Sequence, residues 1–300
     1  MKRNIKLEPR KRPKQARSLQ MKEDILTAAI RVLERYGAPK FTTIRVAEEA
    51  GTLDLLSGGR FELGLGRGVP GEAHIAAGRE LTQEELNQGW LESLELLELA
   101  LTERDFTYDG AFHKVTRPTT IATRPLQAPF PIWLGGASMD TMGRAAERGW
   151  NIMRNFGTHQ DHREALEYYV KVAAEHGHVR SGANLMIERF VAIGETEKQA
   201  ERNLENLSGA YSRFLSLFTA GGRRAVPKSD AEFHVDGPAK KSRPAIAVSG
   251  TPDQVIESLQ RTIDETGARR LLVEIFSTEE RRLFVEEVMP VLRERNATAS

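Results

Sequence analysis

Apolar and polar residues follow one another along most of this chain in blocks that predict strands and helices in alternation. Between Glu84 and Leu101, apolar residues recur every three or four positions, which is typical of an amphipathic helix packed on a core. Short apolar runs that end in glycine, such as residues 131–136, predict buried strands. Repeated strand and helix units favour a parallel sheet, either open or closed into a barrel.

Five segments have the pattern of strands in this sheet: residues 60–66, 131–135, 150–155, 186–193 and 270–276. Further helices are predicted at residues 138–148, 161–176, 196–218, 252–266 and 279–294. The stretch 221–249 is rich in Gly, Pro, Lys and Ser, which predicts a mobile loop.

The N-terminal segment follows a different pattern. Residues 1–22 carry nine Lys or Arg and only Glu8 as an acidic residue, a charge of +8, although the formal charge of the whole chain is +1. We therefore expect residues 1–19 to form a disordered basic arm, and the favoured interpretation is a solvated tail without a partner. Weak, salt-sensitive contact with nucleic acid is the alternative.

Two short helices are predicted after this arm. The first ends at Gly37, and Thr42 or Thr43 caps the second, which we expect to run through Ala50 and to close at Gly51. A short helix pair behind a basic arm is an arrangement suited to DNA phosphates.

Composition excludes several classes of chemistry. The chain has 40% apolar residues, enough for a core, and no cysteine, which rules out disulfides, zinc thiolate sites and thiol nucleophiles. No His spacing resembles HExxH, so we expect no metal. Nothing resembles a signal peptide or a long apolar span, so we expect a cytoplasmic protein without a membrane partner.

One segment has the pattern of a phosphate site. Gly135 and Gly136 end a predicted strand, and a helix follows at once. Ser138 and Thr141, three residues apart, can both present hydroxyls beside the free N–H groups of that helix start. The alternative interpretation is an ordinary N-capped helix.

A second glycine segment, residues 64–68, lacks the spacing of a dinucleotide-binding loop. It ends a predicted barrel strand, where small residues let a flat ring approach the backbone. Arg67 can offset negative charge on a cofactor, or it can be a structural ion-pair partner. Near this strand, Asp54 and Arg60 flank a turn, and we expect them to form a scaffold ion pair.

Two family resemblances meet near residue 50. The segment DILTAAIRVLERYGAPKFTTIRVAEEAG resembles the first two helices of a TetR-family DNA-binding domain, over residues 20–51. Residues 52–60 do not resemble the recognition helix that follows in that family, so we do not expect sequence-specific DNA binding.

From about residue 47 to residue 293 the chain resembles the bacterial-luciferase-like flavin-dependent monooxygenases, which are TIM barrels. Three blocks carry this resemblance: AEEAGTLDLLSGGRFELGLGRG, PLQAPFPIWLGGASMDTMGRAAERGWN and GTPDQVIESLQRTIDETGARRLLVEIF. An intact barrel has eight strands. The five predicted here imply an α/β fold at residues 52–300, a partial TIM barrel that lacks its first three strands and follows the truncated helix-turn-helix segment at residues 20–51.

The resemblance also implies a cofactor and its contacts. The cofactor is reduced FMN or a deazaflavin, used with oxygen on a small organic substrate. The cofactor-binding residues implied are Arg67, Val69, Ala137, Ser138, Thr141, Met153 and Phe156. Of these, Met153 and Phe156 have barrel core as their alternative role. The family's polar catalytic groups lie on the absent strands, so no catalytic residue is assigned.

Three functions stay open on this sequence. The first is a luciferase-like monooxygenase impaired by loss of the early strands. The second is a TetR-type transcriptional regulator, and the third is a hybrid in which neither half works. The substrate is not identified, and assembly into a homo-oligomer is left open.

Overall fold

The structure, a computed structural model of the protein, describes residues 42–68, 77–155, 157–219 and 247–297, with the backbone alone for 209–219. The predicted basic arm, the predicted first helix and most of the predicted loop at 221–249 lie outside these residues, as do Val69 and Phe156.

Strands and helices alternate through the described chain. The strands are β1 (Leu63–Leu65), β2 (Phe106–Asp109), β3 (Lys114–Thr119), β4 (Ile132–Gly135), β5 (Asn151–Arg154), β6 (Leu185–Ile193), β7 (Ala247–Gly250) and β8 (Arg270–Glu274). The helices are α1 (Thr43–Ser57), α2 (Gln83–Thr102), α3 (Met139–Glu147), α4 (His159–Glu175), α5 (Glu197–Thr219), α6 (Pro252–Thr266), α7 (Thr278–Leu283) and α8 (Met289–Asn296), with a π-helical turn (Phe284–Val288) between the last two.

Six strands form one parallel sheet in the order β1-β4-β5-β6-β7, and β8 also pairs with β6. Leu134 of β4 pairs with Leu65 of β1 and with Ile152 of β5, so the carboxyl ends of these three strands lie side by side. The described chain is thus an α/β half-barrel. All five strands expected from the sequence are present at their predicted places.

Two elements were not expected. Strand β7 occupies the end of the segment predicted to be a loop, so that prediction is wrong for residues 247–249. Its four residues are all buried, and the polar composition before it obscured so short an apolar run. The second is the antiparallel hairpin of β2 and β3, which packs on α2.

Helix α1 is longer than predicted. Thr42 caps its start as expected, but the helix continues through Gly51 to Ser57, and Gly58 closes it in the left-handed conformation. Gly51 serves a close approach, because a Cβ there would lie 2.1 Å from the carbonyl oxygen of Thr123. The division expected at residues 51 and 52 falls inside this helix.

The expected ion pair between Asp54 and Arg60 is wrong. Asp54 is completely buried, and its carboxylate accepts hydrogen bonds from the backbone N–H groups of Leu126 and Gln127, at 2.7 and 3.0 Å, and from the Gln127 side chain. Burial raises the pKa of Asp54, but these hydrogen bonds outweigh burial and hold the pKa below its ordinary value. Asp54 therefore fastens α1 to the 126–127 segment.

The two faces of the sheet differ. Side chains such as Ile132, Leu134 and Ile152 point to the helices and belong to the main core. We call the opposite side the inner face. There Glu62 accepts a 2.6 Å hydrogen bond from the indole N–H of Trp133 and pairs with Arg270, whose guanidinium stacks on Trp133. The inner face thus carries polar and aromatic groups.

Candidate functional site

The candidate site lies where β4 ends and α3 begins, beside the ends of β1 and β5. Carboxyl ends of parallel strands in an α/β sheet are where ligands usually bind. We use the name cradle for residues 135–141, which connect β4 to the first turn of α3.

Two hydroxyls meet in the cradle, as the sequence predicted. Ser138 is the N-cap of α3, and its Oγ accepts from the backbone N–H of Thr141 at 3.2 Å. The two hydroxyl oxygens are 2.9 Å apart. A Cβ at Gly136 would lie 2.9 to 3.0 Å from the Thr141 side chain, so glycine is needed for this approach. Ser138 is exposed and Thr141 half-buried.

This geometry fits a phosphate group. The first N–H groups of a helix have no partner within the helix, and the helix dipole favours negative charge at that end. The nearby carboxylate of Asp140 is engaged by Arg144 at 2.9 Å, which offsets its charge. A pair of hydroxyls, the N–H groups of a helix start and a glycine that leaves room are features that suit an anion.

Met153 lies beside the cradle, on the inner face. Its carbonyl oxygen accepts the N–H of Gly136 at 3.2 Å. Its side chain is half-buried, and a Cβ at Gly64 or Gly135 would lie 3.2 or 3.6 Å from its terminal methyl. The side chain therefore packs against the glycines of two neighbouring strands.

Arg67 is not brought into contact with the cradle. It is exposed, and its Nη1 donates a 2.8 Å hydrogen bond to the side-chain oxygen of Asn87 on α2. Its partner is thus a neutral amide, not the carboxylate that the ion-pair alternative requires. Ala137 is exposed within the cradle, while Val69 and Phe156 are not among the residues described.

Sequence reasoning missed two buried polar residues behind the cradle. Arg154, at the end of β5, is 6% exposed and donates to the carbonyl of Ala137 at 3.0 Å and to Nδ1 of His162 at 3.2 Å. His162 is completely buried, and burial, followed by the charges of Arg189 and Arg154, lowers its pKa to about 2. A charged residue inside an apolar strand was the signal available.

A carboxyl pair on the inner face was also missed. Glu188 of β6 and Glu274 of β8 are half-buried and lie on strands that pair with each other. Burial, together with the hydrogen bond and negative charge of Glu274, raises the pKa of Glu188 to about 7, although Asn155 and Arg189 oppose the shift. One carboxyl of this pair therefore holds a proton near neutral pH.

Within the described residues, no group of three or more acidic or histidine side chains is placed to hold a metal ion. None of the described helices has the length and apolar character needed to cross a bilayer.

Comparison with known proteins identifies the family. The sequence profile of the luciferase-like monooxygenases matches residues 38–270, more than two thirds of the chain. The chain belongs to the luciferase-like monooxygenase family, whose members are flavin-dependent.

Three curated relatives show how far the similarity extends. The chain is 34% identical to the uncharacterized protein y4vJ of Sinorhizobium fredii, over 38% of this chain but 32% of that protein. It is 24% identical to the alkanal monooxygenase alpha chain of the Kryptophanaron alfredi symbiont, over 86% of this chain and 78% of that one. A trigonelline monooxygenase oxygenase component of Acinetobacter baylyi is 25% identical over 60% of this chain and 50% of its own length.

Solved structures agree on the fold. The FMN complex of the oxygenating constituent of 3,6-diketocamphane monooxygenase from Pseudomonas putida superimposes with a TM-score of 0.63 at 21% identity, over 84% of this chain and 76% of that chain. An F420-dependent secondary alcohol dehydrogenase, in complex with an F420-acetone adduct, gives a TM-score of 0.64 at 14% identity, over 85% and 76% of the two chains. Similarity at these identities is evidence of fold alone.

Proposed function

We propose, from its membership of the luciferase-like monooxygenase family, that this protein binds a flavin and uses it with oxygen to oxidise a small organic molecule. The observation that carries the proposal is the cradle, where Ser138 and Thr141 bring their hydroxyls within 2.9 Å of each other at the start of α3. In this proposal the cradle holds the cofactor's phosphate through both hydroxyls and a backbone contact at Ala137.

The flat ring of the cofactor then lies against the glycines at the ends of β1 and β4. The flexible thioether of Met153 packs against Gly64 and Gly135, and in this proposal it moves to let a planar group approach the backbone there. We assign ring contacts to Met153 and to the predicted residues Val69 and Phe156, and a charge contact to Arg67. Arg67 reaches a bound flavin only by exchanging its hydrogen bond with Asn87.

FMN is the cofactor we propose first, with a deazaflavin as the alternative. The structural relatives include a monooxygenase component bound to FMN and a dehydrogenase bound to F420. In this proposal the cradle binds a phosphate group, so substitutions at the same cradle residues test either cofactor.

The extent of the barrel bears on turnover. Strand β1 pairs with β4 alone among the described strands, so its other edge is where an earlier strand of a full barrel would pair. We propose that the first three strands are lacking, as the sequence suggested, and that turnover is therefore low, because a half-barrel excludes water poorly from a reactive flavin. If turnover is lost completely, the protein is the third possibility, a hybrid in which neither half works.

The division into an arm at residues 1–19, a TetR-like segment at 20–51 and a partial barrel at 52–300 stays a prediction. The case for nucleic-acid contact rests on the +8 charge of residues 1–22. The TetR-like segment is a weaker argument for it, because α1 places Ala47 in the main core and Gly51 against Thr123. We therefore rank the enzyme above the regulator.

Titration of the purified protein with FMN, followed by flavin fluorescence, tests this function. We expect saturable binding by wild type, and a loss of at least about tenfold in the Ser138→Ala/Thr141→Ala double variant, because two donors to a charged phosphate are removed. Ser277→Ala is the matched control, since it removes the N-cap of α7, on a different helix. Equal affinities in all three proteins would contradict the assignment of the cradle.

A further inference from the structure

A buried guanidinium supports the cradle from behind. Arg154 stands at the carboxyl end of β5, and its Nη1 donates to the carbonyl of Ala137, the residue directly before the N-cap Ser138. This hydrogen bond fixes the orientation of the peptide that leads into the cradle. Because Arg154 is 6% exposed, it is held in place by its surroundings and does not move freely as a surface arginine would.

The charge of Arg154 is only partly balanced by its neighbours. Its two hydrogen bonds go to neutral acceptors, the Ala137 carbonyl and Nδ1 of His162. Arginine only donates, so Nδ1 of His162 must accept and the ring proton lies on Nε2, which has no partner among the described groups. The imidazole is therefore neutral and leaves the positive charge of Arg154 in place.

The carboxylate that acts on Arg154 is already engaged. Burial lowers the pKa of Arg154, and the charge of Asp161 opposes that shift. Asp161 accepts hydrogen bonds from the N–H and the hydroxyl of Thr158, at 2.7 and 2.9 Å, in the capping box of α4. Arginine stays protonated at neutral pH in such surroundings. A buried positive charge thus contacts the carbonyl of Ala137, the residue before the N-cap of α3.

We propose that Arg154 is a positioning residue for the cofactor phosphate: it orients the Ala137–Ser138 peptide and supplies the positive charge that makes the cradle select a phosphorylated flavin over riboflavin. The glycines and hydroxyls from which the cradle was recognised do not themselves require an arginine on β5. The inference rests on the proposed function and adds to it a determinant of cofactor choice.

Electrostatics give the reason for selection. A phosphate monoester carries about −1.5 to −2 charges at neutral pH, and a cation in a poorly solvated environment acts on it more strongly than a surface cation does. Riboflavin lacks the phosphate but has the same ring. Loss of the charge should therefore weaken binding of FMN and leave binding of riboflavin unchanged. A residue that only stabilised β5 would affect both ligands alike.

The test compares FMN and riboflavin on the full-length protein in parallel titrations. Arg154→Met removes the charge and keeps an unbranched side chain, and Arg154→Lys keeps the charge but cannot reproduce both hydrogen bonds. Arg189→Met is the control for loss of a neighbouring buried cation, because Arg189 is 2% exposed and donates to the carbonyls of Asn155 and Glu188. Thermal melting of each variant monitors its folding.

We expect wild type to prefer FMN over riboflavin, and Arg154→Met to reduce that preference by about tenfold, or ~1.4 kcal/mol. Arg154→Lys should keep an intermediate preference, and Arg189→Met the full one. Should Arg154→Met not fold, Arg154→Gln, which also removes the charge, takes its place. An unchanged ratio in whichever of these two variants folds overturns the proposal, as does an equal loss for both ligands. If wild type binds neither flavin, the proposed function fails and this inference fails with it.

Discussion

Two regions of the molecule gather hydrogen-bond donors around a position for an anion. One is the Glu92 turn, in which Glu92 contacts residues 111–113, and the other is the cradle. Glu92 of α2 is buried, and its carboxylate accepts from three successive backbone N–H groups, those of residues 111, 112 and 113, at 2.7 to 3.1 Å. At the cradle, α3 and the hydroxyls of Ser138 and Thr141 gather donors at an exposed surface. The chain supplies the anion at the first place and only the donors at the second. The comparison separates a structural anion site from one that suits a ligand.

The largest expected effect is a loss of stability when Glu92, the structural anion, is removed. Glu92→Ala leaves three backbone N–H groups without the charged acceptor they share, and we expect the free energy of unfolding to fall by about 3 kcal/mol. Urea denaturation measures this loss. Glu98→Ala, which removes a half-buried partner of Arg148, is the control and should cost less than about 1 kcal/mol. Equal losses in the two variants would show that the Glu92 turn adds nothing to stability.

The next effect is at the cradle. Gly136→Ala places a Cβ within 2.9 to 3.0 Å of Thr141, and we expect it to displace that hydroxyl and to weaken FMN binding by about tenfold. Gly89→Ala is the control, because its Cβ meets only Phe112 at an ordinary 3.4 Å. Fluorescence titration gives both affinities. Unchanged binding in Gly136→Ala would mean that the position of Thr141 does not matter.

The contrast between these two regions also explains what the sequence could predict. The cradle is contiguous, from Gly135 to Thr141, so its strand, glycines and cap could all be recognised locally. The Glu92 turn joins α2 to a hairpin about 20 residues away, and the acidic residue looks like any other on an amphipathic helix. Arg154 was missed for the same reason, because its contact with Ala137 depends on the pairing of β4 with β5.

Glycines were the most ambiguous local signal. Gly51 was expected to end α1, whereas it permits contact with Thr123, and Gly58 ends the helix seven residues later. A glycine allows both a left-handed cap and a close approach, and the sequence does not distinguish them. The parallel sheet of the half-barrel, by contrast, was predicted from the alternation of strands and helices.

A smaller effect is expected on the stability of the protein at acidic pH. The pKa of Glu92 is held below its ordinary value, because the hydrogen bonds from residues 111–113 outweigh burial. Its stabilising contribution is therefore complete above the unfolded pKa of about 4.3 and is lost as pH falls below it. We expect Glu92→Gln to show a weaker fall in melting temperature than wild type between pH 5 and pH 3. Parallel curves over that range would contradict this role.

A further pH effect concerns Glu188, whose pKa is raised to about 7. The folded state binds this proton more tightly than the unfolded state, so stability is complete below the unfolded pKa of about 4.3 and declines as pH rises through 7. Glu188→Gln should remove that decline. Melting temperatures between pH 5 and pH 8 test this, and Glu195→Gln, an exposed acidic residue after β6, is the control. A decline that persists in Glu188→Gln would assign it to another group.

The central claim is that the cradle at the start of α3 holds the phosphate of a flavin. The most direct measurement is the phosphorus NMR resonance of FMN, recorded during titration with wild type and with the Ser138→Ala/Thr141→Ala variant. Our account predicts that wild type shifts and broadens the resonance saturably and that the double variant does so far less. A resonance that wild type leaves unchanged, or that both proteins change equally, would contradict it.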